Sequence, residues 1–145
     1  MGHMERALSL AERALGSVSP NPAVGAVIVK DGVVVGEGWT QPPGQAHAEA
    51  MAVRNAGEKS GGAVLYTTLE PCCHQGRTPP CVSVIVYGGV SEVRAAMIDP
   101  NPLVAGKGLS QLNEAGIKTL VGEGEEEARK LTEAYLKFIS TGLPF

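Results

Sequence analysis

Aromatic side chains are scarce in this chain: one Trp, three Tyr and two Phe in 145 residues. Proteins that hold single-stranded nucleic acid stack its bases on aromatic platforms above a basic groove. No basic run is present either, the formal net charge is −3 and the sequence pI is about 5.6. A polynucleotide substrate is therefore disfavoured, and no nucleic-acid partner is expected. Long apolar runs are missing too. "AVGAVIV" and "GVVVG" are the longest strongly apolar stretches, far short of the ~20 residues a membrane-spanning helix needs. The N-terminus mixes Glu5, Arg6, Glu12 and Arg13 with its apolar residues, which does not fit a signal peptide. A cytoplasmic protein without a membrane partner is expected. Cysteine is limited to three residues, all between Cys72 and Cys81. In a cytoplasmic chain such a cluster points to metal or catalysis before disulfides.

What is present fits one soluble domain. A 145-residue chain with 43% hydrophobic and 19% charged residues can bury a core without covalent staples. There are no repeats, low-complexity tracts or composition breaks, so residues 1–145 are read as a single domain.

Met4, Leu8, Ala11 and Leu15 recur at helical spacing, with Gly16 as the stop. "AVGAVIV", "KDG" and "VVVGEGW" predict a β-hairpin turning at Asp31-Gly32. "HAEAMAVRNAG" predicts a helix ending at Gly57, and Ala63 to Leu69 a buried strand. "VSVIVY" carries two conflicting signals. Its β-branched residues favour a strand, but Thr78-Pro79 before it and Gly88-Gly89 after it are helix start and stop signals. A helix is the reading adopted. "EVRAAMI" and "IKTLV" read as strands separated by the helix "LSQLNEAG", which makes them parallel. A final helix from about Glu125 lines up Ala128, Leu131, Tyr135, Phe138 and Ile139 on one face. The order predicts an α/β fold, a three-layer α/β/α sandwich around a mixed five-stranded sheet.

The chemistry concentrates in "HAE" (His47 to Glu49) and "TLEPCCHQGRTPPC" (Thr68 to Cys81). Two positions along a helix turn about 200°, so His47 and Glu49 cannot share a regular helical face. They can approach one point only off the N-terminal end of their helix. A metal held there by His47 would have Glu49 beside it, placed to move a proton. Cys72 follows a strand and Pro71. Cys81 opens the next helix, where free N–H groups and the helix dipole favour a thiolate. His47, Cys72 and Cys81 make three ligands and leave a fourth tetrahedral position for water, the catalytic pattern of zinc. Thiolate ligands select zinc over magnesium, and zinc brings the pKa of bound water to about 7.

"HAE", "TLEPC" and a second cysteine opening a helix resemble the zinc-dependent cytidine-deaminase superfamily, whose signature pairs His-x-Glu with Pro-Cys-x-x-Cys. Here the spacing is longer, with Gln75 three residues after Cys72 and the next cysteine at Cys81. The longer "CCHQGRTPPC", together with "SPNPAVGAVIV" and "DPNPLVAGKG", resembles the riboflavin-pathway pyrimidine deaminases, which act on diaminohydroxyphosphoribosylaminopyrimidine. The likeness runs from about Met4 to Phe145. It implies hydrolytic deamination of that phosphoribosylated pyrimidine with release of ammonia, and Zn2+ on His47, Cys72 and Cys81 with Glu49 as proton carrier. It also implies substrate contacts from Asn21, His74 and Arg77, and an approach of Asp99 and Asn101 to the ribose-phosphate end. The main-chain N–H groups of Ala48 and of Cys73 would face the ring. Family members are often fused to a C-terminal reductase domain. This chain stops at "TGLPF", about where a reductase would begin, so a stand-alone deaminase and an excised domain are both expected readings. A reductase would then be a fused domain or a separate chain. The superfamily's habit of associating through helices near the site implies a homo-oligomer. One departure is Thr40, where the family often carries a histidine that contacts substrate.

Competing readings attach to several of these residues. Cys73 is expected to be a non-ligand, because successive side chains of an extended segment point apart. His74 as a fourth ligand would give a closed structural zinc module without catalysis. Glu70 is expected to fix a loop through main-chain hydrogen bonds rather than act as a second acid. Arg77 suits a phosphate through its fork of donors, and Lys107 is a second phosphate candidate set against an ordinary solvated lysine. Gly36-Glu37-Gly38 is no dinucleotide fingerprint. His3, within the "MGHM" start, is given no role. The enzymatic alternatives are deaminases of cytidine, of deoxycytidylate or of transfer-RNA adenosine. The acidic pI speaks against the last and the long cysteine spacer against all three.

Overall fold

The computed structural model describes residues 2–14, 23–41, 47–73, 80–102 and 105–141, with the side chains of the last helix described through Glu133. Small and branched residues from Gly25 to Lys30 form β1, five of whose six residues are buried. A strand buried on both faces must be central, and β1 is flanked on both sides. The hairpin turn at Asp31 and Gly32 has φ of 51° and 79°, the doubly left-handed geometry that Asp-Gly supplies. It leads into β2 (Val33–Trp39), antiparallel to β1 with a bulge between Ile28 and Val29. β3 (Val64–Thr67) pairs antiparallel with the other side of β1. β4 (Glu92–Ala95) and β5 (Lys118–Val121) then add in parallel, giving the order β2-β1-β3-β4-β5.

Among the described residues, five α-helices cover the two faces: α1 (His3–Ala14), α2 (Ala48–Ala56), α3 (Cys81–Gly88), α4 (Lys107–Glu114) and α5 (Glu125–Thr141). Alternation in β2 separates the layers. A Cβ on Gly36 would lie 2.4 Å from the carbonyl oxygen of Ala52, and one on Gly38 would lie 2.1 Å from that of Ala48. α2 therefore rests directly on the β2 backbone, an approach that only glycine permits. Glu37, between them, points to the opposite face and pairs with Arg6 of α1 at 2.6 Å. α5 packs with α1, while α2, α3 and α4 lie side by side on the other face. The core joins the two layers through Leu10, Val27, Ile28, Leu65, Ile85, Val93 and Leu112, each at most 1% exposed.

The expected three-layer sandwich and mixed sheet are present, as is the parallel pairing of the last two strands. "VSVIVY" is helical. Its helix α3 buries Cys81, Val82 and Ile85 on one side and ends at Gly89 with φ 78°. On α5, Ala128 is buried and Leu131 packs partly against the core, and Thr132, outside the expected stripe, is buried as well. Tyr135, Phe138 and Ile139 lie outside the described side chains, and Leu15 and Gly16 outside the described residues. Among the described residues, no helix is long and apolar enough to cross a membrane.

Candidate metal centre

Parallel β3 and β4 end on the same edge of the sheet, and chain segments that follow such ends are where α/β folds bind ligands. From β3 the chain runs through Thr68 to Cys72. Thr68 is tied to the sheet, its N–H bonding Gly25 O at 3.1 Å and its hydroxyl accepting from Gly25 N at 3.1 Å. Pro71 is fully buried. The main chain of Cys72 is held to α3, its carbonyl accepting from Val82 N–H at 3.2 Å. His47 is the extended residue immediately before α2, with φ −73° and ψ 166°. Both helices thus begin at the same place, and each brings its first residues to the loop after β3.

The atoms that meet there are His47 Nδ1, Cys72 Sγ and Cys81 Sγ, all within 4.8 Å of one another. His47 Nδ1 lies 3.1 Å from Cys81 Sγ and 3.6 Å from Cys72 Sγ. Tetrahedral zinc with ordinary Zn–N and Zn–S bonds separates such ligand atoms by roughly 3.5–3.8 Å. One imidazole and two sulfurs fit zinc in donor type; the His47–Cys72 distance matches that spacing, and the His47–Cys81 distance is a few tenths of an ångström shorter. His47 is exposed, Cys72 half-buried and Cys81 buried, so exposure falls from His47 to Cys81 across the cluster.

The electrostatics favour a thiolate at Cys72. Cys81 N–H donates to Cys72 Sγ at 3.2 Å. The Cys72 thiol is pushed down to about 4, first by its hydrogen bond with the Cys81 side chain and then by His47, against an opposing effect of burial. The thiolate that results raises both partners, His47 by hydrogen bonding and Cys81 by the same bond together with burial. Glu49 is 4% exposed on the first turn of α2. Burial, reinforced by the negative charge on Cys72, lifts its carboxyl to about 7. A carboxyl that titrates near neutrality beside a metal site is suited to accept and return a proton.

Cys73 is half-buried and packs against the hydrophobic core, and it is not part of the His47, Cys72 and Cys81 group. Glu70 is buried and accepts main-chain N–H bonds from Asp99, Gly106 and Leu109, the loop-fixing role expected of it. Thr40 Oγ1 accepts from Val24 N–H at 2.7 Å, which ties the loop after β2 to the segment before β1. Asp99 and Asn101 follow β4 on the same sheet edge as Cys72, and Asn101 N–H donates to Asp99 Oδ1 at 2.9 Å. Lys107 is exposed in the first turn of α4. Asn21, His74 and Arg77 lie outside the described residues.

Sequence reasoning missed Gly36 and Gly38, which let α2 approach and so set the position of His47 and Glu49. Their spacing of two within a strand was a readable sign of close backbone approach.

Residues 2–97 match the family model described as the cytidine and deoxycytidylate deaminase zinc-binding region. The chain belongs to this family. The match takes in His47, Glu49, Cys72 and Cys81. The chain is 51% identical over 143 residues to riboflavin biosynthesis protein RibD of Aquifex aeolicus (strain VF5), a likeness covering 99% of this chain and 40% of that protein. Among solved structures, Acinetobacter baumannii RibD (form 2) superposes with a TM-score of 0.90 at 52% identity, covering 98% of this chain and 40% of that one. The diaminohydroxyphosphoribosylaminopyrimidine deaminase/5-amino-6-(5-phosphoribosylamino)uracil reductase of Thermotoga maritima superposes with a TM-score of 0.88 at 44% identity, covering 99% and 42%. The chain therefore spans about 40% of the length of these relatives.

Proposed function

We propose that this chain is a zinc-dependent deaminase of the riboflavin pathway, which removes an exocyclic amine of diaminohydroxyphosphoribosylaminopyrimidine as ammonia. The observation that carries this reading is identity of about one half to RibD over nearly the whole chain, joined to the His47, Cys72 and Cys81 cluster. The Thermotoga relative is named for this same deamination.

His47, Cys72 and Cys81 would hold the zinc. When bound, zinc supplies a water activated for attack at neutral pH. Water adds to the ring carbon that bears the amine, the C–N bond breaks, and ammonia leaves as a carbonyl forms. Glu49 accepts the proton of the attacking water and delivers protons to the ring nitrogen and to the departing amine. Its buried position lets one carboxyl serve in both directions near neutral pH. Asn21, His74 and Arg77 bind the substrate, and Asp99 and Asn101 meet its ribose-phosphate end.

Residues 1–145 form one deaminase domain in this reading, acting in the cytoplasm on a small molecule, without nucleic-acid or membrane partners. It works as a homo-oligomer, alongside a reductase that is either fused or a separate chain.

The test is ammonia release by the zinc-loaded protein, with the riboflavin-pathway pyrimidine offered beside cytidine, deoxycytidylate and an adenosine-bearing RNA. Turnover of the pyrimidine alone supports the reading. Preference for cytidine or deoxycytidylate, the substrates named in the family description, would replace it.

A further inference from the structure

Glu70 stands two residues before Cys72 and is 3% exposed. A buried carboxylate is costly unless both oxygens are bonded, and here both are. Oε1 accepts from Asp99 N–H at 3.1 Å and from Gly106 N–H at 2.9 Å, and Oε2 accepts from Leu109 N–H at 3.1 Å. All three donors come from the chain that follows β4.

Two of them belong to the start of α4. Its N-cap is Gly106, which has no side chain to meet the open N–H groups of the first turn. Leu109 is the third residue of α4, the position whose N–H an N-cap Ser or Asp normally bonds. Glu70 does this from a distant part of the chain, and places its negative charge at the positive end of the helix dipole. Contact with the metal segment is direct as well. A Cβ on Gly108 would lie 2.1 Å from the carbonyl oxygen of Pro71, the residue before Cys72. Glu70 N–H donates to Met97 O at 3.0 Å, where the chain leaves β4. One residue thus ties the segment that carries Cys72 to both Asp99 and the start of α4.

We infer that Glu70 is a positioning residue that fixes Asp99 and Asn101 at a set distance from the metal cluster, so that the phosphate-bearing end of the substrate and its reacting ring are held together. The inference rests on the proposed substrate and on the ribose-phosphate contacts of Asp99 and Asn101. It predicts that Glu70 governs discrimination for the phosphate rather than the chemical step.

The experiment compares wild type, Glu70→Gln and Glu70→Asp as zinc-loaded full chains, on the phosphorylated pyrimidine and on the same compound after phosphatase treatment. In Glu70→Gln a neutral amide oxygen, a weaker acceptor than the carboxylate, meets Asp99 and Gly106 N–H, and an NH2 faces Leu109 N–H, donor against donor. KM for the phosphorylated compound should rise about tenfold with kcat within about threefold, while KM for the dephosphorylated compound stays within about twofold. Zinc content should not change. Glu70→Asp keeps both oxygens and should show a smaller rise of the same kind, and it carries the comparison if Glu70→Gln does not fold. Equal effects on the two compounds, or a fall in kcat and zinc content with KM unchanged, would overturn the inference. If wild type releases no ammonia from the pyrimidine, the functional reading fails and amide hydrogen exchange decides the role of Glu70. Faster exchange at Asp99, Gly106 and Leu109 in Glu70→Gln, with β1 and β3 unchanged, then supports it; uniform or absent acceleration rejects it.

Discussion

Cys81 N–H, in the first turn of α3, donates to Cys72 Sγ at 3.2 Å. A helix start therefore steadies a thiolate on the loop that precedes it, before any metal is considered. This arrangement explains why the long spacer between the two cysteines is compatible with a compact ligand set. The spacer need only return the chain to the helix start, and the main-chain bond between Val82 N and Cys72 O closes the loop at 3.2 Å.

The three cysteines should separate cleanly by metal content. Cys72→Ala and Cys81→Ala are expected to lose zinc after dialysis, while Cys73→Ala keeps about one zinc per chain. Elemental analysis of the purified variants checks this. Zinc loss in Cys73→Ala, matched by retention in either of the others, would reassign the site.

Gly38 should couple packing to the metal. Gly38→Ala drives a methyl group toward the Ala48 carbonyl oxygen at the start of α2, a clash expected to cost about 1–3 kcal/mol. It should also weaken zinc binding by displacing His47. Gly32→Ala, at φ 79° with nothing within 4 Å, should cost about 1–2 kcal/mol through backbone strain alone and leave zinc affinity unchanged. Urea melts and chelator competition on both variants distinguish the two effects.

Much of this fold and site is legible in the sequence itself. The Asp31-Gly32 turn, the helix that begins just after His47 and the parallel pairing of the last two strands all follow from local signals, as does the meeting of His47, Cys72 and Cys81. "VSVIVY" shows how local signals compete. Its β-branched residues favour a strand, but prolines before it and paired glycines after it define a helix, and the helix buries its apolar side. The partners of Glu70 were not readable by name, since they lie 29, 36 and 39 residues further along the chain. Nothing local marks which main-chain N–H groups a carboxylate will find. The position of β1 between β2 and β3 was likewise set by packing on both faces, although its uninterrupted apolar sequence agrees with it.

Acid should weaken one cross-layer tie. Glu37 is held below its ordinary value of 4.5, first by its hydrogen bond with Arg6, with burial acting against. A carboxylate lowered on folding contributes stability above its unfolded pKa, and loses it as pH falls through the lowered folded value. The urea midpoint of wild type should therefore drop more steeply below pH 4.5 than that of Glu37→Gln. Parallel curves for the two proteins would show that the pair adds nothing to stability.

The most direct measurement of the central claim is ammonia release by Glu49→Gln, read together with its zinc content. The substitution keeps the shape of a buried side chain and removes its ability to accept and return a proton. About one zinc per chain is expected, with turnover reduced at least about a hundredfold on the pyrimidine substrate. A zinc-loaded Glu49→Gln protein that turns over at near the wild-type rate would contradict it.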